Sequence, residues 1–154
     1  MRTRWSARFA ATVLLYMSLF THGADHNARR LVLVASEDFP VTVLSRFDVR
    51  RLFLGVPVMA GQQRLLPLNN TTGPLVHQVF LQKVIYMSSQ KYKRLLLARV
   101  FRQGGERPAF HSNPKELLKA LQTRAGAVSY MWADTAKTTP GLKVVQILWQ
   151  GSIY

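Results

Sequence analysis

Apolar and polar residues alternate along the chain in blocks whose lengths fit strands and helices in turn. Residues 31–35 form a short, uninterrupted apolar run rich in β-branched side chains, which is typical of a strand buried on both faces. Residues 64–68, 127–131 and 143–148 predict three further strands. Because Pro67 lacks a backbone N–H, we expect its strand to lie at an edge of the sheet or to have the proline at its end.

The segments between these strands have helical periodicity. Four helix starts are marked by a capping residue or an early proline, at Ser45, Pro74, Ser88 or Ser89, and Asn113. Asp48 follows Ser45 at the spacing of a capping box. Strands that alternate with helices predict one layered α/β domain over residues 30–150, with a mixed sheet of about four or five strands flanked by helices.

The first two dozen residues have the composition of an export signal. Three arginines, the last of them Arg8, precede an uncharged and mostly apolar segment over residues 9–20. This segment is short for a membrane-spanning helix, which needs roughly 20 apolar residues. Small residues favour cleavage after Gly23, and Ala24 is the alternative. We predict a signal peptide over residues 1–23 and a periplasmic protein without stable membrane insertion; an uncleaved amphipathic anchor is the other interpretation.

Positive charge dominates the composition, with 21 lysines and arginines against 7 carboxylates and a net charge of +14. Removal of the predicted signal peptide would lower this charge to +11. Such a surface attracts phosphate, nucleic acid and acidic lipid headgroups. The chain has no cysteine, which excludes disulfides, a thiol nucleophile and cysteine-ligated metals.

Four segments carry short motifs in a fixed order. Residues 44–55 (LSRFDVRRLFLG) are a helix ending in Phe-Leu-Gly, and residues 66–73 (LPLNNTTG) join a strand to a polar glycine turn. Residues 101–108 (FRQGGERP) form a glycine-rich turn ending in proline, and residues 126–130 (GAVSY) form a small-residue strand. Together they resemble the periplasmic phosphate-binding proteins of ABC transporters, and the resemblance spans residues 31–148.

The resemblance implies a fold like one lobe of a type II periplasmic binding protein, with a phosphate-binding loop at the start of its second helix. The family's loop carries an arginine shortly after its Ser-Gly pair, where this chain has Leu75, Val76 and His77. Ser129 stands where the family usually has glycine. A full phosphate-binding protein closes two lobes over its ligand. A single lobe therefore implies either an open site or a partner that supplies the opposing wall.

The turn over residues 69–74 is the candidate site. A polar loop that leads into a helix N-terminus presents free backbone N–H groups and the positive end of the helix dipole, which together bind oxyanions. Hydroxyl groups add donors, and a glycine lets a ligand approach the backbone. The candidate ligand-binding residues are Asn70, Thr71, Thr72, Gly73, His77 and Ser45. An ordinary strand-to-helix turn with a threonine cap is the structural alternative.

Two groups of basic residues lie on predicted helices, and we interpret both as solvent-facing charge runs: Arg46, Arg50 and Arg51, and Lys91, Lys93 and Arg94. The seven carboxylates form no obvious acid–base pair, and motifs of hydrolases, nucleotide-binding loops and zinc proteases are missing from the sequence. We therefore predict a non-enzyme with no catalytic residue, no metal and no cofactor.

Two functions remain open. The first is a solute-binding protein that holds phosphate or a related oxyanion and delivers it to a membrane transporter or another envelope protein. The second is an envelope interaction module whose basic surface docks an acidic partner without a small-molecule ligand. Nucleic acid is not an expected partner, because the predicted export signal removes the protein from the cytoplasm.

Overall fold

A five-stranded sheet forms the centre of the protein. The computed structural model describes residues 28–40, 43–104 and 106–153, so the predicted signal peptide lies outside the described residues. The strands are β1 (Ala28–Ser36), β4 (Leu66–Asn70), β5 (Ala109–His111), β6 (Ala127–Trp132) and β7 (Leu142–Ser152), while β2 (Met59–Ala60) and β3 (Gln63–Arg64) form a separate small hairpin. The predicted α/β fold with a mixed sheet is confirmed.

The strand order in the sheet is β5-β4-β6-β1-β7. β4 pairs in parallel with both β5 and β6, whereas β1 is antiparallel to both of its neighbours, β6 and β7. The carboxyl ends of β4, β5 and β6 therefore meet at one edge of the sheet. In open α/β sheets, ligands bind outside this edge.

Helices cover both faces of the sheet. They are α1 (Arg46–Phe53), α2 (Pro74–Phe80), α3 (Ser89–Gln103), α4 (Pro114–Thr123) and α5 (Ala133–Thr138), and α2 continues as a π-helical turn over Leu81–Ile85. Along β1, Leu31 and Leu33 belong to the core formed with α1, α2 and α3, whereas Val32 and Val34 belong to the core formed with α4 and α5. The prediction that this strand is buried on both faces is confirmed.

The predicted helix caps are present. The Ser45 hydroxyl accepts from the Asp48 amide, the Ser88 hydroxyl accepts from the Lys91 amide, and Asn113 caps α4 in the same way. Within the three described stretches of chain, no helix is both long and apolar enough to cross a membrane.

Of the two alternatives for Pro67, the edge strand is wrong, because β4 lies between β5 and β6, whereas the proline does lie near the end of its strand, as the second residue of β4. Pro67 faces Val128 of β6, but pairing with β5 begins one residue later, at Leu68. The missing N–H of the proline therefore falls where β5 has not yet begun. A proline fits in a strand where no neighbouring carbonyl requires its backbone N–H. An inner strand offers such a position when the neighbouring strand is short.

Gly126 allows the start of β6 to lie close to the backbone of the residues that precede β4. Its φ is +75°, and a Cβ built on it would collide with the carbonyl oxygen of Arg64. The Gly126 carbonyl also accepts a hydrogen bond from the Leu66 amide at 2.8 Å. Gly61, in the small hairpin, has a similar φ of +60° but no atom within 4 Å of such a Cβ.

These two glycines give a matched pair of stability variants. We expect Gly61→Ala to lower the free energy of unfolding by about 1–2 kcal/mol, the cost of left-handed backbone for alanine. Gly126→Ala should lose an additional ~1–3 kcal/mol, because overlap with a backbone carbonyl must also be relieved. Urea unfolding of both variants measures the difference. Equal losses would show that close approach of the Arg64 backbone is unimportant.

Candidate functional site

The backbone pairing of β4 with β6 ends at Pro67 and Val128. Beyond this point, two buried side chains connect the two strands. The Ser129 hydroxyl donates to the Leu68 carbonyl at 2.7 Å, and the Asn70 Nδ2 donates to the Tyr130 carbonyl at 2.9 Å. The two strands are thus held together by side chains at the edge where a ligand would bind. The serine at position 129 has a structural role that glycine could not fill.

The other end of the Asn70 amide fixes the loop that follows β4. Its Oδ1 accepts from both the amide of Thr72, at 3.0 Å, and the hydroxyl of Thr72, at 2.7 Å. The amide of Thr71 donates to the His111 carbonyl at 2.9 Å and extends the pairing with β5. Three donors predicted for an anion are therefore engaged within the protein itself.

The start of α2 lacks one backbone donor because its first residue is a proline. The first amides of a helix have no intrahelical acceptor, but Pro74 at the first position has no N–H to offer. Gly73 is the N-cap residue and has an extended backbone, with φ −140° and ψ 137°. Thr71 is one of the residues that line an adjoining cleft. No side chain of the described residues caps α2, so the amides that follow Pro74 in its first turn have no side-chain acceptor.

The cleft beside this loop has a volume of about 590 Å³. We call it the cationic cleft; it is lined by Thr71, His77, Ser89, Lys93, Arg94, Leu97, Arg107 and Phe110. Its lining contains three basic side chains and no carboxylate. Like charges gathered without a counter-charge attract anions.

His77 joins the cleft to a polar network in the core. Its Nδ1 lies 2.7 Å from the Tyr130 hydroxyl, and its Nε2 has no hydrogen-bond partner among the described residues. Burial, and secondarily the ammonium of Lys93, lowers the pKa of His77 below its ordinary value. The imidazole is therefore neutral at pH 7, when the Tyr130 hydroxyl can donate to Nδ1 and leave the ring proton on Nε2.

The network beneath His77 is uncharged. The Tyr92 hydroxyl donates to the Phe53 carbonyl at 2.6 Å and lies 3.2 Å from Oδ1 of the fully buried Asn69. The Tyr130 hydroxyl lies 3.4 Å from the same oxygen. Burial raises the pKa of Tyr92 and of Tyr130, so both phenols stay protonated. This network gives the cleft a rigid, neutral base.

The structure brings most of the predicted residues together. Thr71 and His77 line the cationic cleft, and Asn70, Thr72 and Gly73 form the loop beside it. Ser45 does not line the cleft; it caps α1, where its hydroxyl also donates to the Asp48 carboxylate at 2.7 Å.

The sequence interpretation missed the cations of the cleft. Lys93 and Arg94 are exposed, as expected of a charge run, but they face a concave surface shared with Arg107. One sequence signal was available, because Ser89, Lys93 and Leu97 recur at intervals of four and so share one face of α3. Among the described residues, no group of three histidine or acidic side chains could hold a metal ion.

The fold has counterparts among solved structures, whereas no protein-family model and no curated protein sequence matches the chain. It is similar to PstS from Borrelia burgdorferi, with a TM-score of 0.57, 11% identity, and coverage of 78% of this chain and 47% of that one. It is also similar to an ABC-type phosphate transport receptor from Vibrio cholerae, with a TM-score of 0.56, 11% identity, and coverage of 78% and 46%.

At this identity the likeness establishes the fold. The described chain has the architecture of one lobe of these receptors, and it spans about half of their length. The predicted resemblance to phosphate-binding proteins is thus confirmed at the level of the fold.

The depressed pKa of His77 predicts a pH dependence of stability. As pH falls below about 6.5, the unfolded chain takes up a proton on this residue before the folded protein does. The free energy of unfolding should therefore fall between that pH and the lower pKa of the folded state. The variant His77→Gln keeps an acceptor for Tyr130 but cannot titrate, so this part of the loss should disappear. Urea unfolding from pH 7.5 to pH 5 tests this, and parallel curves for both proteins would contradict it.

Proposed function

We propose that this protein binds phosphate or a related oxyanion in the cationic cleft and has no enzymatic activity. The observation that carries the proposal is the convergence of Lys93, Arg94 and Arg107 on one concave surface whose lining contains no carboxylate. The cleft lies beside the loop at the start of α2, where the helix dipole adds positive potential. The phosphate receptors with the same fold support an anion as the ligand.

In this proposal, side chains carry most of the recognition. Thr71 offers a hydroxyl donor, and His77 lines the cleft with a buried Nε2 that lacks a partner among the described residues. The cations supply charge-assisted hydrogen bonds, which are roughly twice as strong as neutral ones. Asn70, Thr72 and Gly73 contribute by fixing the loop and leaving its backbone open to approach.

The open side of the cleft bears on where the protein acts and with what partner. A cleft on one lobe stays open to water, so its bonds to an anion are weaker than in a closed site. A second protein that covers the cleft would remove this weakness. We propose that the protein acts after export to the periplasm and that its partner is a membrane transporter or another envelope protein.

Matched charge variants test whether the cleft is the binding site. Lys93→Gln and Arg107→Gln should each weaken phosphate binding roughly fivefold, the equivalent of ~1 kcal/mol for a solvent-accessible charge. Lys119→Gln removes the same charge from α4, on the other face of the sheet, and should change the affinity less than twofold. Calorimetric titration at low salt measures all three. Equal effects from the three substitutions would mean that only net charge attracts the anion.

Gly73→Val adds a test of geometry within the same titrations. A Cβ at this position would meet nothing closer than Val76, at 3.9 Å, so the fold accommodates the side chain. Valine leaves net charge unchanged but obstructs approach to the loop. We expect phosphate binding to weaken while the melting temperature stays near that of the wild type.

A second candidate function, docking of an acidic peptide segment of an envelope partner, is favoured by a groove beside α1. The groove holds about 190 Å³ between Phe47 and Tyr86, which are 66% and 67% exposed. Arg46, Arg50 and Lys83 line it, and its floor is apolar. Asp48, on the same helix, accepts a hydrogen bond from Ser45 and lies 3.7 Å from Arg51. The groove therefore fits an apolar side chain flanked by carboxylates.

Tyr86 allows a clean test of the groove because its backbone is left-handed, with φ 59°. Tyr86→Gly removes the exposed ring and relieves backbone strain, so stability should hold or rise. We expect the variant to bind a labelled acidic peptide with one central phenylalanine severalfold more weakly, as measured by fluorescence anisotropy. A peptide with serine at the centre is the control. Unchanged affinity in the variant would exclude the groove as the docking site.

A further inference from the structure

The cationic cleft is larger than an inorganic anion requires. Its volume of about 590 Å³ lies within the range of roughly 300–1,000 Å³ that is typical of sites for drug-sized ligands. Orthophosphate has only five non-hydrogen atoms and would leave most of the cleft to water. The cleft therefore has room for a ligand with a substantial part besides its anionic group.

The side of the cleft formed by α3 is polar and cationic at one end and apolar at the other. Ser89, Lys93 and Leu97 follow one another at successive turns, over about 12 Å of helix. One end thus presents a hydroxyl and an ammonium, and the other presents an isobutyl group that is 47% exposed. A single exposed leucine needs no explanation, but an apolar end on a cationic wall is a second type of binding surface.

Phe110 adds an aromatic side chain to the same cleft. Its ring lies edge-to-face with His77 at 6.1 Å and with Tyr92 at 6.3 Å. These contacts hold the ring in place before any ligand binds, and so reduce the entropy that binding would cost. The lining thus combines Phe110 and Leu97 with three cations and two hydroxyl groups.

We propose that the ligand of the cationic cleft is an organic phosphate, whose phosphoryl group lies among the cations and whose apolar or planar group lies against Leu97 and Phe110. This proposal rests on the proposed function and narrows its ligand class. Phosphate provides the charge that Lys93 and Arg107 attract, while the organic group displaces water from the apolar end of the wall. Orthophosphate can contact the cations but has no group to place against Leu97 and Phe110.

Phenyl phosphate, orthophosphate and pyrophosphate distinguish the sources of affinity, because pyrophosphate adds charge without an apolar group. All three are titrated calorimetrically into the protein at equal ionic strength. We expect phenyl phosphate to bind about tenfold more tightly than orthophosphate, as burial of part of an aromatic ring predicts. It should also bind more tightly than pyrophosphate.

Leu97→Asn, which changes no charge, should remove most of the advantage of phenyl phosphate and leave orthophosphate affinity within about twofold. The matched control is Phe101→Ser, one turn further along α3, since Phe101 is 81% exposed and does not line the cleft. It should change neither affinity. Both side chains are exposed, so melting temperatures should stay near that of the wild type.

The outcomes separate the two proposals. If none of the three anions binds, the proposed function itself is wrong. If orthophosphate binds as tightly as phenyl phosphate, or if pyrophosphate binds most tightly, charge alone governs the cleft and the organic-phosphate proposal is overturned while oxyanion binding stands. An advantage of phenyl phosphate that survives Leu97→Asn but is lost in Phe101→Ser would also overturn it, because the apolar contact would then lie outside the cleft.

Discussion

The hydrogen bonds of the Asn70 side-chain amide hold together the sheet edge beside the cationic cleft. They connect the end of β4 to the Tyr130 carbonyl of β6 on one side and to the Thr72 amide and hydroxyl on the other. The side chain is almost fully buried, so a lost partner would leave a polar group unsatisfied at a cost of about 1–3 kcal/mol. The rigid loop that results has already used the amides of Thr71 and Thr72 and the Thr72 hydroxyl. In the proposed function, recognition of an anion therefore shifts toward the side chains around the cleft.

This shift changes how an anion can be held. Backbone amides at a helix start are fixed in place, whereas lysine and arginine side chains lose rotamer freedom when they contact a ligand. Lys93, Arg94 and Arg107 are also exposed, and salt screens their attraction. A site of this kind gains affinity from spreading its contacts over a larger ligand or from a second wall that excludes water.

The fold was predictable from local sequence because its signals are local. The apolar run of β1 and the capping residues Ser45 and Asn113 each specify one element, and the structure has those elements. The position of β4 inside the sheet was not predictable from Pro67, because it depends on where the neighbouring strand β5 begins. The engagement of Thr72 by Asn70 is local too, but it leaves no pattern that distinguishes it from a free loop.

The cations of the site were not predictable for a different reason. Lys93 on α3 and Arg107 ahead of β5 are 14 residues apart and belong to different segments, and only the folded chain brings both to one cleft. In sequence, each is one more basic residue in a strongly basic chain. The useful periodic signal was the mixed face of α3, on which a leucine follows a lysine and a serine at helical spacing.

His77 lies in the positive potential of one of these cations, Lys93. Burial is the main cause that lowers the pKa of its imidazole, and the ammonium of Lys93 lowers this pKa further because a second positive charge close to the first is unfavourable. The same potential makes an anion favourable at the same place. Binding and protonation are therefore linked: an anion that favours the protonated imidazole raises its pKa, and protonation strengthens anion binding by the same factor. The neutral imidazole of His77 can therefore take up a proton when an anion binds beside it, while the tyrosines beneath it stay uncharged.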